Sequence, residues 1–305
     1  IALLKQVGIK AYPALIYAND ESKNQYEYQD FPRPAFNHVI ACVPIQKDTL
    51  WLECTSQTNP FGYLGSFTGN RNALLVKENE GKLISTINYL PEKNHQKREA
   101  KIKLDATGNA EVHITAKYTG LQQETRSSVA EQFNFTEQKE WLHKNLDIPN
   151  ANISNFKISS EKTGIPKINE EIELVANRYA SFTGNRLFVK PNLMTKFLSP
   201  TDNEKERKSD LYLNPNAYSF LDEDILEFEI PEGYKAEFIP KDIKLIKKFG
   251  EYTAITSVEG NKLHFKRFLK VNGGLYDKSD FSIWMDFLKT ISKADNQKAV
   301  FVKAQ

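Results

Sequence analysis

Two short segments of this chain carry residue types that can move a proton. His38 lies in Phe36-Asn37-His38-Val39-Ile40, and Glu53 lies in Trp51-Leu52-Glu53-Cys54-Thr55. Both read as strands, Asn37–Val43 and Thr49–Cys54, with Pro44–Asp48 as the turn between them. Side chains alternate along a strand, so His38, Ile40 and Cys42 share a face, as do Trp51 and Glu53. A pairing that sets Ile40 opposite Trp51 sets His38 opposite Glu53, where opposed Cβ atoms stand ~4.5–5.5 Å apart. A carboxylate there accepts from the imidazole and fixes its tautomer and orientation. The pair is then a general acid–base with its orienting group, or a structural contact; the residues alone leave both roles open. No nucleophile accompanies it. Cys42 shares the face of His38 but lies farther along the strand than the ~3 Å that proton transfer allows, and Cys54 faces away. Their opposite faces oppose a disulfide, and both read as buried structural cysteines.

The elements that must position this pair are legible in outline. Ile1–Val7 reads as the last turns of a helix stopped at Gly8, followed by a strand over Ile9–Ala18 and a long polar loop over Asn19–Pro34. Ala73–Lys77 and Lys82–Ile87 make a further strand pair, and Leu90–Arg98 reads as a linker. Beyond it, Ala100–Ala106 and Ala110–Tyr118 alternate around Thr107-Gly108-Asn109, a hairpin signal. Helical patterns cover Gln122–Gln132 and Thr136–Asn145, the second with Thr136 as N-cap candidate. Strands are expected at Ile153–Ser160, Glu171–Arg178 and Arg186–Val189, and Ser199–Asp210 is the next boundary. Short strands with glycine turns then suggest a β-sandwich, with Phe281, Trp284, Met285, Leu288 and Ile291 on one packed helix and Ala299–Val302 as closing strand. The hexapeptide Ser66–Arg71 recurs as Ser181–Arg186, a match too short for a structural repeat.

The 305 residues carry 41 basic and 39 acidic side chains and are 40% hydrophobic, which supports a sizeable core and argues against a nucleic-acid partner. The basic runs at 93–98 and 205–208 are interrupted or flanked by acids and read as solvated surface. No apolar run approaches the ~20 residues of a membrane span. His95, His113, His143 and His264 are scattered without ligand spacing, so neither a metal site nor a cofactor is expected. Phe31, Phe36, Trp51 and Tyr63 read as core and loop packing or as a substrate groove, in which Trp51 is the contact candidate.

Leu3-Leu4-Lys5-Gln6-Val7-Gly8-Ile9-Lys10-Ala11-Tyr12-Pro13-Ala14-Leu15, with the His38 and Glu53 segments, resembles the second half of a transglutaminase-like core. More narrowly, residues 1–80 resemble the bacterial DUF3857 family, common in Bacteroidetes. Ile230-Pro231-Glu232-Gly233-Tyr234, with Phe238-Ile239-Pro240 and Lys266-Arg267, more loosely resembles the DUF3858-type module of the same proteins. The resemblance implies a cysteine nucleophile at the start of a helix, followed by a His and an acid on adjacent strands. His38 matches the His; Glu53 matches the acid, which is more often Asp in the wider superfamily. The nucleophile is then expected upstream of Ile1, and this chain alone is expected to be inactive. The implied chemistry is acyl transfer from an amide to water or an amine, of peptidase, amidase or transglutaminase type, with a protein or peptide substrate. The implied location is extracytoplasmic, periplasmic or cell envelope. The alternative is a non-catalytic envelope scaffold or binding protein that uses its β-modules. The expected fold is α+β: a partial papain-like core (1–92), a middle β-rich domain with helices (93–205) and a C-terminal β-sandwich-like module with one packed helix (206–305).

Overall fold

The computed structural model describes residues 1–18, 36–46, 48–56, 58–162, 164–195 and 207–304. The expected loop Asn19–Pro34, with Phe31, lies outside the described residues, as does 199–206 of the expected Ser199–Asp210 boundary. A one-turn helix α1 (Ala2–Gln6) ends at Gly8, whose φ of 75° suits a residue without a Cβ. Five strands follow: β1 (Tyr12–Ile16), β2 (His38–Ile45), β3 (Asp48–Leu52), β4 (Asn72–Val76) and β5 (Gly81–Ser85). They form an antiparallel sheet in the order β3-β2-β1-β4-β5. The short helix α2 (Gly65–Thr68) lies in the connection from β3 to β4. Alternation puts Ala14, Ile16, Ile40, Cys42, Trp51, Ala73 and Leu75 on one face, where they pack with Leu64 as a small core.

The rest of the chain is built on an eight-stranded sheet. It takes β6 (His95–Leu104), β7 (Ala110–Thr119), β8 (Ala151–Glu161) and β9 (Lys167–Ala176) from the middle of the chain, with helices α3 (Glu124–Gln132) and α4 (Phe135–Asn145) between β7 and β8. After β10 (Ser181–Thr183), β11 (Arg186–Val189), β12 (Leu211–Leu213) and helix α5 (Pro215–Tyr218), the same sheet continues with β13 (Phe220–Glu229). It is completed, after β14 (Tyr234–Phe238), by β15 (Ile243–Lys247), β16 (Gly250–Glu259) and β17 (Lys262–Val271). The order is β15-β16-β17-β13-β6-β7-β9-β8, antiparallel except where β13 runs parallel to β6. The chain ends with β18 (Gly274–Tyr276), which pairs with β12, then helix α6 (Phe281–Asp295) and β19 (Ala299–Lys303). β10, β11, β19 and β14 make a four-stranded sheet whose Leu187, Val189, Ala299 and Phe301 enter the same core as Ile102, Phe228 and Phe265 of the large sheet. The apolar stripe of α6, including Trp284, Phe287 and Ile291, is buried in that core.

One sheet and one core cross the expected division at 205/206, because β13 adds to β6 over nine paired positions. The expected linker Leu90–Arg98 is corrected: His95–Arg98 already belongs to β6, since its polar side chains have ionic partners on β13. No helix among the described residues is long and apolar enough to cross a membrane.

Candidate acid–base site

His38 opens β2 opposite Ile16 of β1. The residue before it fastens that end of the sheet. The Asn37 N–H donates to the Ile16 carbonyl at 3.2 Å, and its side chain brackets Ala18, accepting from the N–H at 2.7 Å and donating to the carbonyl at 2.9 Å. On the other side of β2, Cys42 lies opposite Trp51 and Ala41 opposite Leu52. This register differs by two residues from the expected one, in which Ile40 faces Trp51. A shift of two keeps every side chain on its face, whereas a shift of one would have moved Glu53 to the other side of the sheet.

Glu53 stands one residue beyond β3 and reaches His38 diagonally. His38 Nε2 and Glu53 Oε2 are 2.8 Å apart. The other oxygen, Oε1, accepts from the Thr55 N–H at 3.0 Å and the Thr55 hydroxyl at 2.7 Å. The Glu53 side chain is only 3% exposed and that of His38 17%. Burial works against ionisation of Glu53, but the Thr55 hydroxyl and N–H and the His38 ring outweigh it and hold the carboxyl below its ordinary value. An ionised Glu53 on Nε2 leaves Nδ1 as the ring atom for proton exchange. The edge of this arrangement is aromatic: the rings of Phe67 and His38 lie 5.3 Å apart at 63°.

The other candidates are placed elsewhere. Trp51, the expected substrate contact, is 6% exposed and belongs to the small core of this sheet, opposite Cys42. Tyr63 is likewise buried, and Phe36 is exposed. Cys42 is buried, and its thiol pKa is pushed up by that burial. It stands four residues from His38 along β2, ~13 Å at ~3.3 Å per residue. Cys54 is exposed, not buried as expected, because the chain has left the sheet at Leu52. Asn37, Thr55 and Phe67 are the contributors that sequence reasoning missed. Thr55 had a signal, since a hydroxyl two residues after a carboxylate closes a local hydrogen-bonded turn. Phe67 had none, because its contact crosses 29 residues of chain.

Residues 185–301 match a family described as a domain of unknown function with solved structure, DUF3858. No curated protein matches the chain. A solved crystal structure from Parabacteroides distasonis, described as that of "a putative protease", is similar at a TM-score of 0.46 and 11% identity. That similarity covers 98% of this chain and 41% of the other, so the chain spans less than half the length of the protein it resembles.

Proposed function

We propose that this chain supplies the acid–base half of a thiol-dependent acyl-transfer centre of transglutaminase-like type. The observation that carries the reading is the part-buried hydrogen bond from His38 Nε2 to Glu53, in a segment that resembles that core. Cys42 is buried ~13 Å along β2 from His38, and the Cys54 thiol is turned to the Leu52 carbonyl at 3.8 Å, so the reading takes a cysteine from a segment beyond these 305 residues. His38 Nδ1 accepts the thiol proton, and the thiolate attacks the carbonyl carbon of an amide. As the tetrahedral intermediate collapses, the C–N bond breaks and His38 returns the proton to the leaving amine, which gives a thioester. Water or a second amine, deprotonated by His38, then displaces the thiol. Glu53 stays ionised throughout, holds the Nε2–H tautomer and stabilises the imidazolium. The substrate class is a protein or peptide amide, and the location in this reading is the periplasm or cell envelope of a bacterium, with Bacteroidetes as the suggested origin.

A second reading is favoured by the burial of Trp51 and Cys42 in the core on the same face of the sheet as the pair. In it, the His38–Glu53 contact only closes the sheet, and the protein is a non-catalytic envelope scaffold. One experiment separates the two. The natural full-length protein is treated with iodoacetamide at about pH 6, where an ordinary thiol of pKa ~8.5 is almost wholly protonated. Rapid labelling of one cysteine other than Cys42 and Cys54, slowed at least tenfold by His38→Ala, is the expected result. If no cysteine labels rapidly, or if His38→Ala leaves the rate unchanged, the acyl-transfer reading fails and the scaffold reading stands.

A further inference from the structure

We infer that Glu124, at the start of α3 on the large-sheet unit, is a positioning residue for His38, so that the second unit completes the site carried by the first. This rests on the acid–base reading above and extends it. Phe67 is the aromatic wall of the His38 ring, but it sits on α2, only four residues long and unable to hold itself in place. Its position is set from outside. Glu124 Oε1 accepts from the Tyr63 hydroxyl and from the Ser66 N–H, each at 2.9 Å, and Oε2 accepts from the Ser66 hydroxyl at 2.6 Å. Three donors of Tyr63 and Ser66, just ahead of Phe67, thus converge on one carboxylate from a different sheet system. Burial and the nearby Glu124 charge hold the Tyr63 hydroxyl well above its ordinary pKa, so it stays a donor.

Gly65 records how closely the two parts are fitted. Its φ is 67°, and a Cβ added there would collide with Glu124 Oε1. The far side of the turn is held as well. Arg71 Nε donates to the Phe67 carbonyl at 2.9 Å, and Asn216 Nδ2, on α5 of the large unit, donates to the Ser66 carbonyl at 3.1 Å. The route from Glu124 to His38 is therefore short: carboxylate, Ser66, the adjoining Phe67, imidazole. A latch that merely joined two units would have no need to end on the residue beside the one that touches His38.

The test uses this chain, isotopically labelled, with the His38 ring signals followed by NMR. Phe67→Ala defines the shift produced when the aromatic wall is lost. Glu124→Ala is expected to move the His38 ring signals in the same direction and by at least half as far, and Glu124→Gln, which keeps one acceptor oxygen, by less. If Glu124→Ala lowers Tm while the His38 signals stay at their wild-type positions, Glu124 only joins the units and the inference is overturned. Should Glu124→Ala fail to fold, Ser66→Ala removes a single bond of the same relay, and an unmoved His38 there overturns the inference equally. Glu53→Gln in the same measurement keeps the two claims apart. If it leaves the His38 ring signals at their wild-type positions, the paired-base reading itself is wrong; if it moves them while the Glu124 and Ser66 variants do not, only the positioning role is wrong.

Discussion

Glu53 divides its work between two partners: one oxygen holds the His38 ring, and the other is tied to Thr55. Its carboxyl titrates lower in the folded chain than in the unfolded one. The stabilisation it gives is therefore present above the unfolded pKa and is lost as pH falls through the folded value. Glu53→Gln is expected to cost about 1.5–3 kcal/mol at pH 7, the worth of hydrogen bonds to a charged group. The gap between wild type and variant, measured by urea unfolding, should shrink steadily as the pH is taken from 5 towards 2. A gap that does not depend on pH would mean that the ionised carboxylate is not what stabilises the pair. The pair was legible in sequence because strand alternation assigns faces without knowledge of register. The register itself was not legible, since both pairings satisfy the same alternation.

Elements show where local sequence decides and where it does not. The hexapeptide Ser-Phe-Thr-Gly-Asn-Arg occurs twice and folds two ways. At Ser66–Arg71 it is most of α2 and the turn into β4; at Ser181–Arg186 it is all of β10, a tight turn at Gly184 and the first residue of β11. Glu124 and Asn216 hold the first copy, while pairing of β11 with β19 holds the second. Six residues are too few to fix a structure against such contacts. By contrast, α4 is started by its own sequence, although not by the expected Thr136. Asn134 accepts from the N–H groups of Thr136 and Glu137, and Glu137 reaches back to the Asn134 N–H at 2.8 Å. This is a reciprocal cap. Asn134→Ala should cost about 1 kcal/mol in thermal or urea unfolding and Thr136→Ala much less; the reverse ranking would return the cap to Thr136.

At the scale of the whole molecule, the large sheet is joined across its parallel seam by a buried row of charges. Arg98 on β6, Asp224 on β13 and Arg267 on β17 are directly opposed across three neighbouring strands. Arg98 Nε donates to Asp224 at 2.7 Å, and Arg267 Nε donates at 2.9 Å to Asp295 at the end of α6, which also accepts from the Tyr252 hydroxyl at 2.8 Å. Asp224, Arg267 and Asp295 are each at most 2% exposed. Removing one partner leaves a buried charge without compensation, so Asp224→Ala should destabilise by about 3–5 kcal/mol. Because the row spans middle and C-terminal strands, the region from β6 to β19 should unfold in one transition. Calorimetry that separates residues 93–205 from 206–305 in two transitions would restore the expected boundary.

The sequence by itself determined the strand that carries His38 and the strand that ends just before Glu53, the face each side chain occupies, the hairpin of β6 and β7, and the amphipathic helix α6. These follow from alternation, turn chemistry and helical spacing, which act over a few residues. It also pointed to a DUF3858-type resemblance over segments between 230 and 267, which fall within the family match at 185–301. Only the tertiary structure decided the register that makes the bond diagonal, the burial of Trp51, the single sheet across 205/206, and the approach of Glu124 to the turn beside His38. Each of these is a contact between segments far apart in the chain, and which distant segments meet is set by packing of the whole core and not by any local pattern.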